Sequence, residues 1–211
     1  AEALTKTYTD FVNRNLSVTA LSDVTISVAR GEIFGLLGRN GAGKTTFIKI
    51  LLGLVHPTSG RASILGKDLS NARVRERVGF LPENHRFPNY LTGAQTMSLF
   101  GGLYAMSASR IRSRTQELLK LVGMEQWAAM KVRKYSKGMM QRLGLAQALI
   151  NNPDVIFLDE PTDGVDPVGR KEIRDILKQL KAEGKTIFLN SHLLSEVEMI
   201  SDRVAILDKG S

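Results

Sequence analysis

Eight residues, Gly38-Arg-Asn-Gly-Ala-Gly43-Lys44-Thr45, match the pattern G-x-x-x-x-G-K-[ST] at every fixed position. The chemistry is that of a phosphate cradle. Three glycines let backbone N–H groups fold around phosphate oxygens, and a helix N-terminus just beyond adds partial positive charge. Lys44 has the reach for β- and γ-phosphates, and the Thr45 hydroxyl can ligate Mg2+. Gly38, Asn40, Gly41, Ala42, Gly43, Lys44, Thr45 and Thr46 are therefore the candidate nucleotide contacts. The surroundings suit this role: the apolar run Ile33–Leu37 reads as a strand and Phe47–Leu54 as a helix.

A second site is written in Val155-Ile-Phe-Leu-Asp159-Glu160. A buried apolar strand ending in two carboxylates presents them at the carboxyl edge of a parallel sheet, where a phosphate-bound metal is held. Asp159 is expected to hold Mg2+, directly or through water. Glu160 is expected to orient or deprotonate an attacking water. Strands often end in acidic residues, so the pair draws its meaning from the glycine loop.

Tyr135-Ser136-Lys137-Gly138-Met139-Met-Gln141-Arg142 resembles the LSGGQ signature, followed by Gln-Arg, of ATP-binding cassette (ABC) domains. Ser136 and Gly138 match; Tyr135, Lys137 and Met139 depart. A serine hydroxyl and a bare glycine N–H at a helix head make a second phosphate-binding end. The resemblance implies that this end serves a nucleotide held by a second copy of the domain. His192 matches the family's switch histidine, which contacts the γ-phosphate. Pro161–Asp166 resembles the loop that crosses to the partner subunit. Tyr8 stands thirty residues before Gly38, where the family often stacks an aromatic ring on adenine, with Phe11 the competitor. Gly79-Phe-Leu-Pro-Glu83 resembles the segment joining the core to a helical lobe, where most cassettes carry glutamine. Glu83 keeps the reach for Mg2+ or the attacking water but adds negative charge near Asp159 and Glu160. The implied catalytic set is Lys44, Glu83, Glu160 and His192; the implied Mg2+ set is Thr45, Asp159 and Glu83.

Positioning these residues calls for strands and helices in a particular order. Strand patterns occur at Val24–Val28, Ile33–Leu37, Ala62–Leu65 and Val78–Leu81, and again at Val155–Leu158, Thr186–Leu189 and Arg203–Leu207. Between Thr92 and Ile150 the period turns helical. Asp166, Pro167 and Gly184 mark the cap, first position and stop of the clearest helix. Unalternating apolar strands joined by helices predict an α/β fold with a mostly parallel sheet. The resemblance adds a P-loop NTPase core, an antiparallel N-terminal β part and an inserted helical lobe. The expected organisation is a single ABC ATPase domain over 1–211. Its core lobe covers about 1–85 and 153–211, its helical lobe about 90–150, and both ends read as truncated.

Composition narrows the rest. The 211 residues are 43% apolar and 24% charged, which excludes disordered and fibrous classes. The longest strongly apolar run, Phe47–Val55, falls far short of the roughly twenty residues a membrane span needs. No signal-peptide layout opens the chain, and the absence of cysteine excludes disulfides and thiolate metal sites. The net charge of +8 favours phosphate-bearing ligands, anionic lipid or nucleic acid. A cassette acting on ribosomes or nucleic acid is the alternative that charge would suit. Only 115 residues separate Lys44 from Asp159, too few for a long inserted coiled coil, and zinc modules would need cysteines. No nucleic-acid partner is expected. The resemblance favours an ATP-hydrolysing subunit that energises a membrane transporter through a separate permease, at the cytoplasmic face of the membrane. The Leu-Pro-Glu and Tyr-Ser-Lys-Gly-Met segments most resemble bacterial exporter cassettes.

Overall fold

The computed structural model describes residues 1–9 and 17–211. The chain opens with strands β1 (Glu2–Thr9), β2 (Ser17–Val24) and β3 (Ile33–Leu37), then helix α1 (Lys44–Leu51). Short strands β4 (Ser59–Arg61), β5 (Ser63–Ile64) and β6 (Lys67–Asp68) lead to β7 (Val78–Leu81). Three helices follow: α2 (Gly93–Leu103), α3 (Ala108–Leu121) and α4 (Lys137–Ala148). The remainder alternates through β8 (Val155–Asp159), α5 (Pro167–Ala182), β9 (Thr186–Ser191), α6 (Leu194–Glu198) and β10 (Arg203–Ile206).

Five strands form a wholly parallel sheet in the order β10-β3-β9-β8-β7. Its strands read as continuous apolar runs because both faces are covered. On one face Phe34, Phe157 and Phe188 pack against Phe47, Ile48 and Leu51 of α1. Phe188 is the hub there, its ring centroid 5.5 Å from Phe34, 5.5 Å from Phe157 and 5.8 Å from Phe47. On the other face Ile33, Ile156, Leu158 and Ile187 meet Ile173 and Leu177 of α5 and Leu143 of α4. That same apolar cluster runs on into α3 through Leu118 and Leu119.

The helical segment forms as its period predicts. Thr92 and Gln95 make a reciprocal capping box at the start of α2. Helix α4 ends against β7: a Cβ at Gly79 would stand 2.1 Å from the Ala148 carbonyl oxygen, so only glycine permits this approach. Helix α5 also starts as expected, Asp166 accepting from the Gly169 N–H at 3.0 Å with Pro167 in the first helical position.

Two expected strands differ. Of the strand expected at Val24–Val28 only Val24 is strand, as the last residue of β2; residues 25–28 form none. Leu21 and Val24 are both buried three residues apart, because Asp23 takes a φ of 55° and breaks the two-residue period. Beyond it, Ile26 and Ala1 exchange backbone hydrogen bonds of 3.1 and 2.8 Å. The strand at Ala62–Leu65 shrinks to the two residues of β5, paired with β6. The antiparallel part consists of β2-β1-β4 and that small ribbon. A turn at Asp208–Ser211 braces the glycine loop, with the Gly210 N–H donating to the Ala42 carbonyl at 3.0 Å.

Candidate functional site

Parallel register brings four strand ends to one edge. Leu37 lies beside Ser191, Asp159 beside Asn190, and Leu81 beside Leu158. The segments leaving these strands therefore enclose a cleft of about 230 Å3. Loop residues 40–43, the first turn of α1, Glu83, Asp159, Glu160 and Asn190 line it. Gly43 is the pivot of the loop. Its φ of 104° suits glycine, and a Cβ would sit 2.3 Å from the Ala20 carbonyl oxygen of β2. Helix α1 begins at this point without any side-chain cap, so its first N–H groups face the cleft as an anion site. Lys44 is buried and donates its ammonium protons to the carbonyls of Gly38 at 2.6 Å and Arg39 at 3.3 Å. It thus holds a positive charge at the loop's centre.

Across the cleft, Asp159 is 2% exposed and accepts hydrogen bonds from the Asn190 amide and, at 3.4 Å, from the Thr45 hydroxyl. Burial pushes its pKa up; the charges of Glu83 and Glu160 push the same way, against the lowering by its Asn190 and Thr45 hydrogen bonds. A buried carboxylate held among like charges is a place where a cation belongs. Among the described residues, no three His, Asp or Glu side chains converge closely enough to hold a metal unaided. That donor set, hard oxygens from Thr45, Asp159 and Glu83 with an incomplete shell, fits Mg2+, which completes its coordination with phosphate oxygens and water. The Asn190 Oδ1 atom, buried beside this pair, has no hydrogen-bond partner among the described residues.

Glu160 stands next to Asp159 and is 6% exposed. Its φ of 53° is a sparsely populated conformation for a non-glycine residue. Its carboxylate lies 2.9 Å from His192 Nδ1 and accepts from the Ser191 hydroxyl at 3.3 Å. The chain therefore pairs an anion cradle with a buried, aimed carboxylate.

Residues 21–163 match the ABC transporter family, more than half of the chain. The chain belongs to that family. The fold is the family's ATPase cassette: the ATP-binding cassette MJ0796, solved as a dimer in a post-hydrolysis state with ADP and Pi, superposes with a TM-score of 0.90. That likeness covers 99% of this chain and 94% of that one at 28% identity. An uncharacterized ABC transporter ATP-binding protein, all4389 of Nostoc sp., is 51% identical over 209 residues, 98% of this chain and 62% of that protein. The Nod factor export ATP-binding protein I of Ralstonia nicotianae is 40% identical over 194 residues, 91% of this chain and 60% of that protein. The chain thus spans about three-fifths of the length of these curated relatives.

Within this cassette the cleft gathers Asn40, Gly41, Ala42, Gly43, Lys44, Thr45, Thr46, Glu83, Asp159 and Glu160 of the expected set. Gly38 joins through its carbonyl bond to Lys44, and His192 through Glu160. Ser136 and Gly138 stand apart at the head of α4, where the Ser136 hydroxyl accepts from the Met139 N–H at 3.2 Å. Tyr8 is partly exposed on β1, paired with Val18, and does not line the cleft; the Lys6 ammonium lies 4.9 Å from its ring centroid. Phe11 lies outside the described residues. Two groups escaped the sequence reading. Asn190 follows the buried apolar run Ile187–Leu189 near the end of β9, a signal that was there to be used, whereas Ala20 enters the cleft only through the packing of β2.

Proposed function

We propose that this cassette binds and hydrolyses ATP to energise a membrane exporter, acting as one half of an ATP-sandwich dimer beneath a separate permease at the cytoplasmic face. The observation that carries this is the convergence on one cleft of the Lys44 phosphate loop and the buried Asp159–Glu160 pair. In the mechanism, the N–H groups of residues 40–46 cradle the phosphates while Lys44 turns from its own loop carbonyls to the β- and γ-phosphates. Thr45 and Asp159, with Glu83 nearby, would hold Mg2+, which would neutralise phosphate charge and polarise the γ-phosphoryl group. Glu160, held by Ser191 and His192, orients the attacking water and draws its proton. His192 and, from the second copy, Ser136 and Gly138 would contact the γ-phosphate.

The split site explains coupling. ATP stabilises the closed pair because both halves grip it, and loss of the γ-phosphate removes that differential affinity. Export is supported by the Ralstonia relative, a Nod factor export ATP-binding protein. No helix among the described residues is long and apolar enough to cross a membrane. The test is a mild-detergent pull-down of the full-length protein from its native cells, paired with a phosphate-release assay. A stoichiometric multi-span membrane protein and Mg2+-dependent hydrolysis lost in Lys44→Ala are expected. Ribosomal proteins or nucleic acid in its place would overturn the transport reading.

A further inference from the structure

We infer that Gln141 is a positioning residue for hydrolysis, tying the head of α4 to the backbone of Glu160 within one chain. This rests on the reading of Glu160 as the group that acts on water. Gln141 lies on the second turn of α4 and is 4% exposed, unusual burial for a primary amide. Its Nε2 donates to the Glu160 main-chain carbonyl at 2.8 Å. The same carbonyl accepts from the Asp163 N–H at 3.1 Å, so both of its lone pairs are engaged. The Glu160 N–H donates to the Asn190 carbonyl at 2.9 Å, and the carboxylate meets Ser191 and His192.

Glu160 is therefore held at every polar atom while its backbone sits at a φ of 53°. A conformation of that kind persists only where its surroundings over-determine it. Asn190, Ser191 and His192 all belong to β9 or the residue after it, and Asp163 to the turn following Glu160. Gln141 alone among these groups comes from α4. It lies five residues after Ser136 and three after Gly138, the phosphate-binding end proposed above.

A second contact joins the same segments: Lys137 Nζ pairs with the Asp163 carboxylate at 2.7 Å. That pair is well exposed and contributes little by itself. The buried Gln141 bond is the one placed to fix a carbonyl. An event at the α4 head is then one hydrogen bond from the carboxylate that must face water. Rotation of the helix head would shift Glu160 along its strained backbone, and small misplacements of a catalytic group cost large factors in rate.

The experiment is a double-mutant cycle in the full-length protein, with Gln141→Met and Glu160→Gln made singly and together. Methionine keeps the unbranched shape, and the Asp163 N–H still satisfies the Glu160 carbonyl, so the variant is expected to fold. Phosphate release at saturating Mg-ATP is expected to fall about ten-fold in Gln141→Met. Nucleotide affinity should stay within twofold, and the variant should add no further loss in the Glu160→Gln background. Unchanged turnover in Gln141→Met would overturn the inference, as would an equal factor of loss in both backgrounds. Full turnover in Glu160→Gln alone would instead remove the reading of Glu160, and the inference with it. If Gln141→Met lowers the unfolding midpoint enough to prevent assay, Gln141→Asn, which keeps the amide but shortens its reach, carries the same cycle.

Discussion

Replacing Glu160 by glutamine isolates the role of one charge. The side chains are nearly isosteric, and the site is arranged to accept the exchange. The two hydrogen bonds to the Glu160 carbonyl and the bond from its N–H to Asn190 use only the main-chain atoms of Glu160. The Ser191 hydroxyl can turn to donate or accept, so only the contact with His192 Nδ1 changes character. Removing the charge also relieves a repulsion that contributes to the raised pKa of Asp159. Folded stability is therefore expected to hold or rise. Turnover is expected to fall by roughly 10² to 10⁴, about 2.7–5.4 kcal/mol of transition-state stabilisation, the usual worth of a general base. Lys44 and the loop N–H groups are untouched, so ATP should still bind. The assay combines phosphate release at saturating Mg-ATP, titration with a fluorescent nucleotide and thermal unfolding. Turnover within threefold of wild type, with affinity and melting unchanged, would refute the assignment.

Other expectations follow from the same cleft. Because the pKa of Asp159 is raised, its native carboxyl keeps a proton at pH values where the unfolded chain has lost it. Stability without metal should then fall as pH rises from the ordinary aspartate range through the raised value. Asp159→Asn should flatten that slope in urea melts with EDTA; a slope left unchanged would contradict the cause given. Glu83→Gln should raise the Mg2+ concentration for half-maximal turnover by about two- to five-fold, the effect of losing one exposed charge near the cation. A Mg2+ titration identical to wild type would remove Glu83 from the metal's surroundings. Phe188→Ala, which empties the hub of four packed rings, should cost about 3–5 kcal/mol in denaturant unfolding. A loss below about 1 kcal/mol would mean that face of the sheet collapses freely.

Much of the fold was legible because its strongest elements carry local signals. The α5 helix announced its ends through Asp166, Pro167 and Gly184, and all three sit where capping chemistry puts them. The parallel strands betrayed themselves by apolar runs that only two covered faces allow. The edges of the antiparallel part were harder to read. At β2 the burial of Leu21 and Val24 depends on a backbone break at Asp23, and no alternation pattern encodes such a break.

The site divides along the same physical line. Gly38–Thr46 and the Asp159–Glu160 pair are contiguous in sequence, so residue type and spacing alone pointed to the chemistry proposed for them. Loop, helix start and strand end are local structures. The partners of those residues are not local. Asn190 reaches Asp159 only because β9 lies between β3 and β8 in a register that sets Asp159 beside Asn190. Gln141 reaches Glu160 only because α4 packs across the sheet edge. A side-chain hydrogen bond needs its two groups within about 3 Å. Strand order and helix packing set that distance through crossovers of tens of residues, beyond the reach of any period along the chain.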